Sequence, residues 1–141
     1  YTPVIFTANQ TVDSSRLPIY HTNVMMCLAE TFAVICLDSI DDKKERKAVV
    51  NHLREDGKEI IAISEAQMHR FAGNILQVLG SNQTPYLVMS STAYKSLTSD
   101  QLSKIEQHCE IIHADLSTIE TCGGGSARCM MAEVFLPRME S

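Results

Sequence analysis

The chain has 141 residues, of which 45% are hydrophobic and 21% are charged, and its formal net charge is -5. This length and composition predict one globular domain with a hydrophobic core of its own. The longest apolar run is interrupted by Glu30 and Thr31, and the basic residues are dispersed or mixed with acids. We therefore expect neither a membrane nor a nucleic-acid partner.

The five cysteines are an odd number without the spacing of a disulfide framework, and no secretory signal precedes them. Reduced thiols in a cytoplasmic protein are therefore expected rather than disulfides. Because the chain begins at Tyr1 rather than at a methionine, we expect a processed chain or a piece of a longer protein.

The first half of the chain predicts two buried strands, a helix and a third strand. The strand segments are rich in branched and soft apolar residues. The helix segment carries a capping-box pattern at Ser39 and Asp42 and is followed by Gly57. In chain order the four predicted elements are 18–28, 31–37, 38–56 and 58–64.

The second half predicts the same order of elements. Its helix opens with a capping box from Thr98 to Gln101. We also expect a strand at 4–6 to end an earlier copy and a strand at 128–137 to begin a further one. The four complete elements of this half are 71–79, 85–90, 98–109 and 110–116.

The two halves are therefore interpreted as repeats of a strand-strand-helix-strand unit. The tripeptide Glu-Ile-Ile occurs at 59–61 and again at 110–112, at the start of the last strand of each unit. Repeats of this size cannot each bury their own hydrophobic face, so they are expected to stack or to close into a ring. The alternative is ordinary alternation of strands and helices in one open α/β sheet.

Cys129 is a candidate nucleophile because three glycines precede it and Arg128 stands beside it. Glycines allow a close approach of backbone and substrate, and a neighbouring cation favours the thiolate. The sequence predicts this cysteine at the start of an apolar strand. The alternative is a buried structural cysteine, the commonest fate of an unpaired thiol.

His21 is the leading partner for such a thiol, since a cysteine nucleophile needs a base or proton donor near it in space. The period of a strand would place His21 and Asn23 on one face. We expect His52, His69 and His108 to be solvated or packing residues. The spacing of cysteines and histidines predicts no metal site, and no phosphate-binding glycine motif predicts a nucleotide cofactor.

Four stretches of the sequence together resemble the guanidino-group-modifying superfamily, which contains amidinotransferases, arginine deiminases and dimethylarginine hydrolases. The sequence looks closest to the bacterial amidinotransferase-like branch that includes citrulline-utilisation hydrolases. The stretches that carry the resemblance are PIYHTNVMMC, FAVICLDSI, FAGN and GGGSARCM.

The resemblance implies an α/β fold, a five-bladed pseudo-symmetric propeller of strand-strand-helix-strand modules with its active site in the central channel. Residues 1–141 would form the C-terminal half of one such catalytic domain, with two to three modules. The N-terminal half would then be a partner that supplies the acids which hold a guanidinium. Alone, the chain is expected to be inactive and either to self-associate as a homo-oligomer or to bind that half.

The resemblance also implies a cofactor-free hydrolase of a non-peptide C–N bond in a ureido or guanidino substrate such as citrulline. Cys129 would be the nucleophile and His21 the proton donor and base. Relatives usually have an acid where this chain has Asn23, and an amide suits a neutral ureido group better. An amidinotransferase, an arginine or methylarginine deiminase and a non-catalytic binding half-domain are the alternatives. The expected substrate-binding residues are Asn23, Asn74, Gly124, Gly125 and Arg128.

Overall fold

A computed structural model describes residues 3–81 and 83–132 of the chain. Its first element is a hairpin of strands β1 (Asn9–Val12) and β2 (Ser15–Pro18), which pair antiparallel. Asp13 and Ser14 form the two-residue turn with φ values of 47° and 67°, the left-handed conformation that matches the twist of a tight hairpin. The sequence did not predict this hairpin, and the strand expected at 4–6 is wrong.

The first module comprises strands β3 (Met26–Leu28), β4 (Phe32–Ile35) and β5 (Glu59–Ala62), with helix α1 (Lys43–Glu55) between β4 and β5. β3 pairs antiparallel with β4, and β4 pairs parallel with β5. A parallel pair requires a crossover, which α1 supplies. The predicted order of elements in this half is confirmed.

The second module has the same topology. β6 (Leu76–Leu79) pairs antiparallel with β7 (Pro85–Ser90), and β7 pairs parallel with β8 (Glu110–Ala114). Two helices, α3 (Ser91–Ser96) and α4 (Ser99–Glu106), form its crossover, of which the sequence predicted only α4. Glu59 and Glu110 both open the parallel strand of their module, as the repeated tripeptide indicated.

The two modules form separate three-stranded sheets, so the alternative of one open sheet is wrong for the part of the chain described. They are joined by one hydrophobic core, in which Phe32 and Ile61 of the first module lie in the same cluster as Leu87 and Ile105 of the second. The α/β class is confirmed. None of the helices in the two described ranges is long and apolar enough to cross a membrane.

The helix starts follow the local sequence except at α1. Asp42 caps this helix, accepting from Lys44 N at 2.7 Å and Glu45 N at 2.9 Å. The predicted Ser39 cap is wrong, because Ser39 is buried in a 3-10 turn and donates to Met68 Sδ. The capping box of Thr98 and Gln101 on α4 is confirmed.

Short helices end both modules. Helix α2 (Glu65–Met68) follows β5, and helix α5 (Ser117–Gly123) follows β8. After each of them the chain turns inward before it reaches the next predicted strand. The strand expected at 128–137 is wrong for its first residues, since Ala127–Met130 form a 3-10 turn, and residues 133–137 lie outside the described ranges.

Candidate functional site

Three inward turns meet at one cavity of about 510 Å³. The 3-10 turn Thr22–Val24 precedes β3, the turn at 71–74 precedes β6, and the 3-10 turn Ala127–Met130 follows α5. The cavity therefore lies where successive modules begin. Six of the residues proposed from the sequence line it: His21, Asn23, Asn74, Gly124, Gly125 and Cys129.

Cys129 lies in the 3-10 turn rather than on the predicted strand. Its backbone N–H donates to Ser126 O at 3.1 Å, and the N–H of Arg128 donates to Asn74 O at 3.2 Å. These turn bonds use backbone donors that a strand would present to its neighbour. The side chain of Cys129 is exposed and faces the cavity, so the alternative of a buried structural cysteine is wrong.

Three other cysteines are buried, whereas Cys129 is exposed. Cys27, Cys36 and Cys109 lie inside the core. Burial raises the pKa of the Cys36 and Cys109 thiols, because the core cannot solvate a thiolate. Cys122 is exposed at the end of α5 but does not line the cavity.

The glycine run brings the chain against the thiol. Gly124 follows α5 with φ at +66°, a left-handed conformation that favours glycine. A Cβ atom on Gly125 would lie 3.0 Å from Cys129 Sγ and 3.1 Å from its Cβ. The close approach expected of these glycines is therefore present at Gly125.

Asn74 connects the three turns through its side chain and its backbone. Its amide nitrogen donates to Asn23 O at 2.9 Å and to Cys129 Sγ at 3.2 Å. Its amide oxygen accepts from Ser126 N at 3.0 Å. The neighbouring Gly73 permits this contact, since a Cβ there would meet Val24 O at 2.6 Å.

His21 and Asn23 do not lie on a strand, which corrects the expectation from periodicity. His21 precedes the 3-10 turn with an extended backbone, and its carbonyl accepts from Val24 N at 3.1 Å. The turn still points both residues toward the cavity. The His21 side chain is exposed, and its ring makes an edge contact with the Tyr20 ring at 5.0 Å.

The Arg128 side chain is directed away from this cavity. Its guanidinium donates to Met131 O at 3.2 Å, and the residue lines a separate cavity of about 190 Å³ together with Cys27 and Thr22. The two cavities share Asn23. The geometry thus separates Arg128 from Asn74, Gly124 and Gly125, which line only the larger of these two cavities.

Several residues of the cavity were missed by sequence reasoning. Gln10 lies on the unpredicted hairpin and Tyr20 follows it, and exposed His69 and half-buried Phe71 border the cavity from the turn before β6. No local signal identified the first pair. The position of His69 two residues before the FAGN stretch was a signal that could have been used.

His108 and His52 lie outside this cavity. His108 stacks on Phe32 with ring centroids 5.0 Å apart and lies within hydrogen-bond distance of Glu59 and Thr31. Of the two roles expected of His108, solvated or packing, the structure shows packing. Exposed His52 lines a third, largely apolar cavity of about 300 Å³. Among the described residues, no group of three histidines, cysteines or acids could hold a metal ion.

The hairpin is anchored beside the cavity by Arg16. Its guanidinium contacts Asp41 Oδ1 and Glu65 Oε1, both at 2.5 Å. The hydrogen bond from Arg16 holds the pKa of Asp41 below its ordinary value. Thr11 of β1 also donates to Glu65. These contacts join the hairpin to the segment before α1 and to α2.

The lining of the cavity mixes apolar and polar side chains, and within the described residues it carries no carboxylate or ammonium group. Its titratable side chains there are His21, His69, Tyr20 and Cys129. The described part of the site can therefore supply a nucleophile and a proton carrier. It does not supply a carboxylate to pair with a cationic substrate.

These features match one protein family. The family model described as N,N dimethylarginine dimethylhydrolase, eukaryotic, matches residues 1–136. The chain belongs to this family. Its membership confirms the guanidino-group-modifying superfamily expected from the sequence. A comparison with curated proteins found no match.

Solved structures show a similar fold. The apo structure of ArgZ, an arginine dihydrolase from the ornithine-ammonia cycle in cyanobacteria, is 17% identical, with a TM-score of 0.62 over 86% of this chain and 18% of that chain. The ternary complex of AgrE with ornithine and NAD+ is 22% identical, with a TM-score of 0.58. That match covers 86% of this chain and 16% of the AgrE chain. The product-bound N-terminal domain of ArgZ is 18% identical, with a TM-score of 0.54. That match covers 79% of this chain and 36% of the ArgZ domain chain. The chain thus spans well under half of each.

Proposed function

We propose that the complete protein containing this chain is a cysteine-dependent hydrolase of a non-peptide C–N bond in a guanidino or ureido substrate. One observation carries the proposal: an exposed thiol, Cys129, faces a cavity of about 510 Å³ that is also lined by His21. A nucleophile and a proton carrier at one cavity are the groups that covalent hydrolysis requires. The family to which the chain belongs is consistent with this chemistry.

In the first half of the reaction, the Cys129 thiolate attacks the central carbon of the substrate. A C–S bond forms, and the electron pair of the C=N or C=O bond moves to the heteroatom. When that pair returns, the C–N bond breaks and the nitrogen leaves with a proton from the His21 imidazolium. The products of this half are ammonia or an amine and a thio-linked intermediate.

In the second half, neutral His21 takes a proton from water, and the resulting hydroxide adds to the thio-linked carbon. The C–S bond then breaks, and its electron pair returns to sulfur. The net reaction consumes one water and converts a guanidino group into a ureido group, or a ureido group into a carbamic acid. Cys129 and His21 end in their starting states, so the cycle requires no redox partner.

We propose a ureido substrate such as citrulline because of the charge of the cavity. The described lining contains no carboxylate for a guanidinium, and Asn23 can donate to a carbonyl oxygen. Gly124 and Gly125 leave room for the substrate beside the thiol. A cationic guanidino substrate would need acids from outside the described residues, which the missing part of the domain is proposed to supply.

The proposed assembly is a five-bladed propeller, of which this chain forms the C-terminal half. Two modules of identical topology support a ring of such units. Apolar side chains are also exposed along the described surface, including Ile5 at 87%, Leu28 at 55% and Met130 at 52%. The N-terminal half of the domain is the proposed partner for this surface, and association with a second copy is the competing outcome.

The experiment that tests the activity is trapping of the covalent intermediate. The complete protein is incubated with citrulline or with arginine, quenched in acid, and each cysteine is examined for added mass. We expect an adduct at Cys129 and none in the Cys129→Ala variant. Full activity of Cys129→Ala, or an adduct confined to another cysteine, would refute the proposal. Product analysis with and without added glycine separates hydrolysis from amidino transfer.

A further inference from the structure

We propose that Asn74 is a positioning residue that holds the Cys129 sulfur and stabilises its thiolate, and that Ser126 and Glu120 fix the Asn74 amide for this task. The inference rests on the proposed function, since it assigns a purpose to the nucleophile. It differs from the expectation that Asn74 binds substrate. The four residues form one continuous series of contacts from a buried carboxylate to the exposed sulfur, in which Ser126 contributes both its hydroxyl and its backbone N–H.

The hydrogen bonds of the Asn74 side chain are taken up within the protein. One N–H of its amide donates to Asn23 O, and the other is directed at Cys129 Sγ, 3.2 Å away. The amide oxygen accepts from Ser126 N. With only 3% of the residue exposed, little of this side chain remains for a substrate. Its contact with the reaction is therefore made through the sulfur.

The orientation of this amide is determined by its neighbours. The backbone N–H of Ser126 can only donate, so it must face the amide oxygen of Asn74. The backbone carbonyl of Asn23 can only accept, so it must face the amide nitrogen. Exchanging oxygen and nitrogen would place like groups together at both contacts. The N–H bond, and not the carbonyl, therefore points at Cys129.

A buried acid holds the other end of the series. The Ser126 hydroxyl donates to Glu120 Oε1 at 2.7 Å, with Ser126 fully buried and Glu120 9% exposed. Glu120 lies on α5, just before the glycine run that approaches the thiol. This bond anchors Ser126, which in turn presents its backbone N–H to Asn74. The loop that carries Cys129 is thus tied at both ends to the Asn74 amide.

The chemical consequence is a preference for negative sulfur. A fixed N–H directed at an acceptor favours its charged form, because hydrogen bonds to charged groups are stronger than those to neutral ones. The titratable groups around the thiol are His21, His69 and Tyr20 in the cavity and Glu120 behind Ser126. Asn74 is neutral, so its effect persists when either histidine loses its proton.

The test measures thiol reactivity and needs no substrate. In the complete protein, iodoacetamide modification of Cys129 is followed by mass spectrometry over a range of pH, in wild type and in Asn74→Asp. The carboxylate has nearly the size of the amide but cannot donate to sulfur. We expect alkylation near neutral pH to slow about tenfold or more, with the profile displaced to higher pH. Asn51→Asp, the same change at an exposed position on α1, is the matched control and should match wild type.

Asn74→Asp also places an acceptor against Asn23 O, so circular dichroism must show that the variant folds. If Asn74→Asp does not fold, the alkylation test is made with Ser126→Ala instead, because this change removes only the hydroxyl bond to Glu120. We expect a smaller displacement of the profile in the same direction. The inference would be overturned if folded Asn74→Asp showed the wild-type dependence of alkylation on pH. If Asn74→Asp does not fold, the same result in Ser126→Ala would overturn it. Loss of the citrulline adduct with this alkylation pattern intact would instead reject only the proposed function.

Discussion

Gly125 and Cys129 are in such close contact that a methyl group on the glycine would reach the sulfur. An added Cβ would lie 3.0 Å from Sγ, a contact tighter than nine in ten that real Cβ atoms make, so the sulfur would have to move. Gly123, two residues earlier in the same run, has nothing nearer than Ile119 Cγ2 at 4.0 Å. The run of glycines therefore contains one position that the thiol requires and one that it does not.

Gly125→Ala is expected to displace Cys129 and to lower the alkylation rate and the turnover of the complete protein by about tenfold or more, since small misplacements of reacting groups are costly. Gly123→Ala is the control, because alanine at this helical position meets no obstacle and favours the helix. Equal rates for the two variants would show that the contact is unimportant.

His21→Ala is expected to slow turnover by about a hundredfold or more, the usual scale of general acid–base catalysis, and to leave the fold intact because the side chain is exposed. The pH dependence of kcat/KM should also lose the step that belongs to this histidine. His52→Ala, an exposed histidine of α1 beside a different cavity, serves as the control. Wild-type rate and pH dependence in His21→Ala would make the residue structural.

Arg16→Gln is expected to loosen the hairpin beside the cavity, because it removes the charge that contacts Asp41 and Glu65. Hydrogen exchange of the β1 and β2 amides should accelerate, and KM should rise since Gln10 and Tyr20 line the cavity. Lys104→Gln, which breaks the exposed pair with Asp100, is the control and should change neither measurement. If the β1 and β2 amides of Arg16→Gln exchanged at the wild-type rate, Arg16 would not anchor the hairpin.

The same anchor has a predictable pH dependence. Arg16 lowers the pKa of Asp41 in the folded chain, so the contribution of this contact is present above the ordinary pKa of aspartate, about 3.9. It is lost as the pH falls through the lower, folded-state value. Hairpin amides of wild type should therefore lose protection in acid, and those of Arg16→Gln should show a weaker dependence over the same range.

Cys36 is expected to make the folded state less stable at alkaline pH. Burial raises the pKa of its thiol, so the stability that this group contributes is fully present below the unfolded-state pKa, about 8.5. It declines as the pH rises toward the folded-state value, because only the unfolded chain ionises. Urea unfolding from pH 7 to 10 should show a shallower decline in Cys36→Ala than in wild type. Exposed Cys122→Ala should retain the wild-type slope.

Local patterns predicted the repeated module correctly because its determinants lie close together in the chain. Apolar runs mark β4 and β7, and the Thr98 to Gln101 box marks the start of α4 within one helical turn. The Glu-Ile-Ile repeat marks the parallel strand of both modules. Each of these signals spans only a few residues, so no distant contact is needed to interpret it.

The site depended on contacts between residues far apart in the chain. His21 and Cys129 were recognised as a pair, but both were expected on strands. Only tertiary packing shows that Cys129 lies in a 3-10 turn, that His21 directly precedes another, and that both line one cavity. Nothing near Asn74 in the sequence indicates that its amide faces a sulfur 55 positions later. Such contacts arise because buried polar groups must find partners, and the fold alone brings those partners within reach.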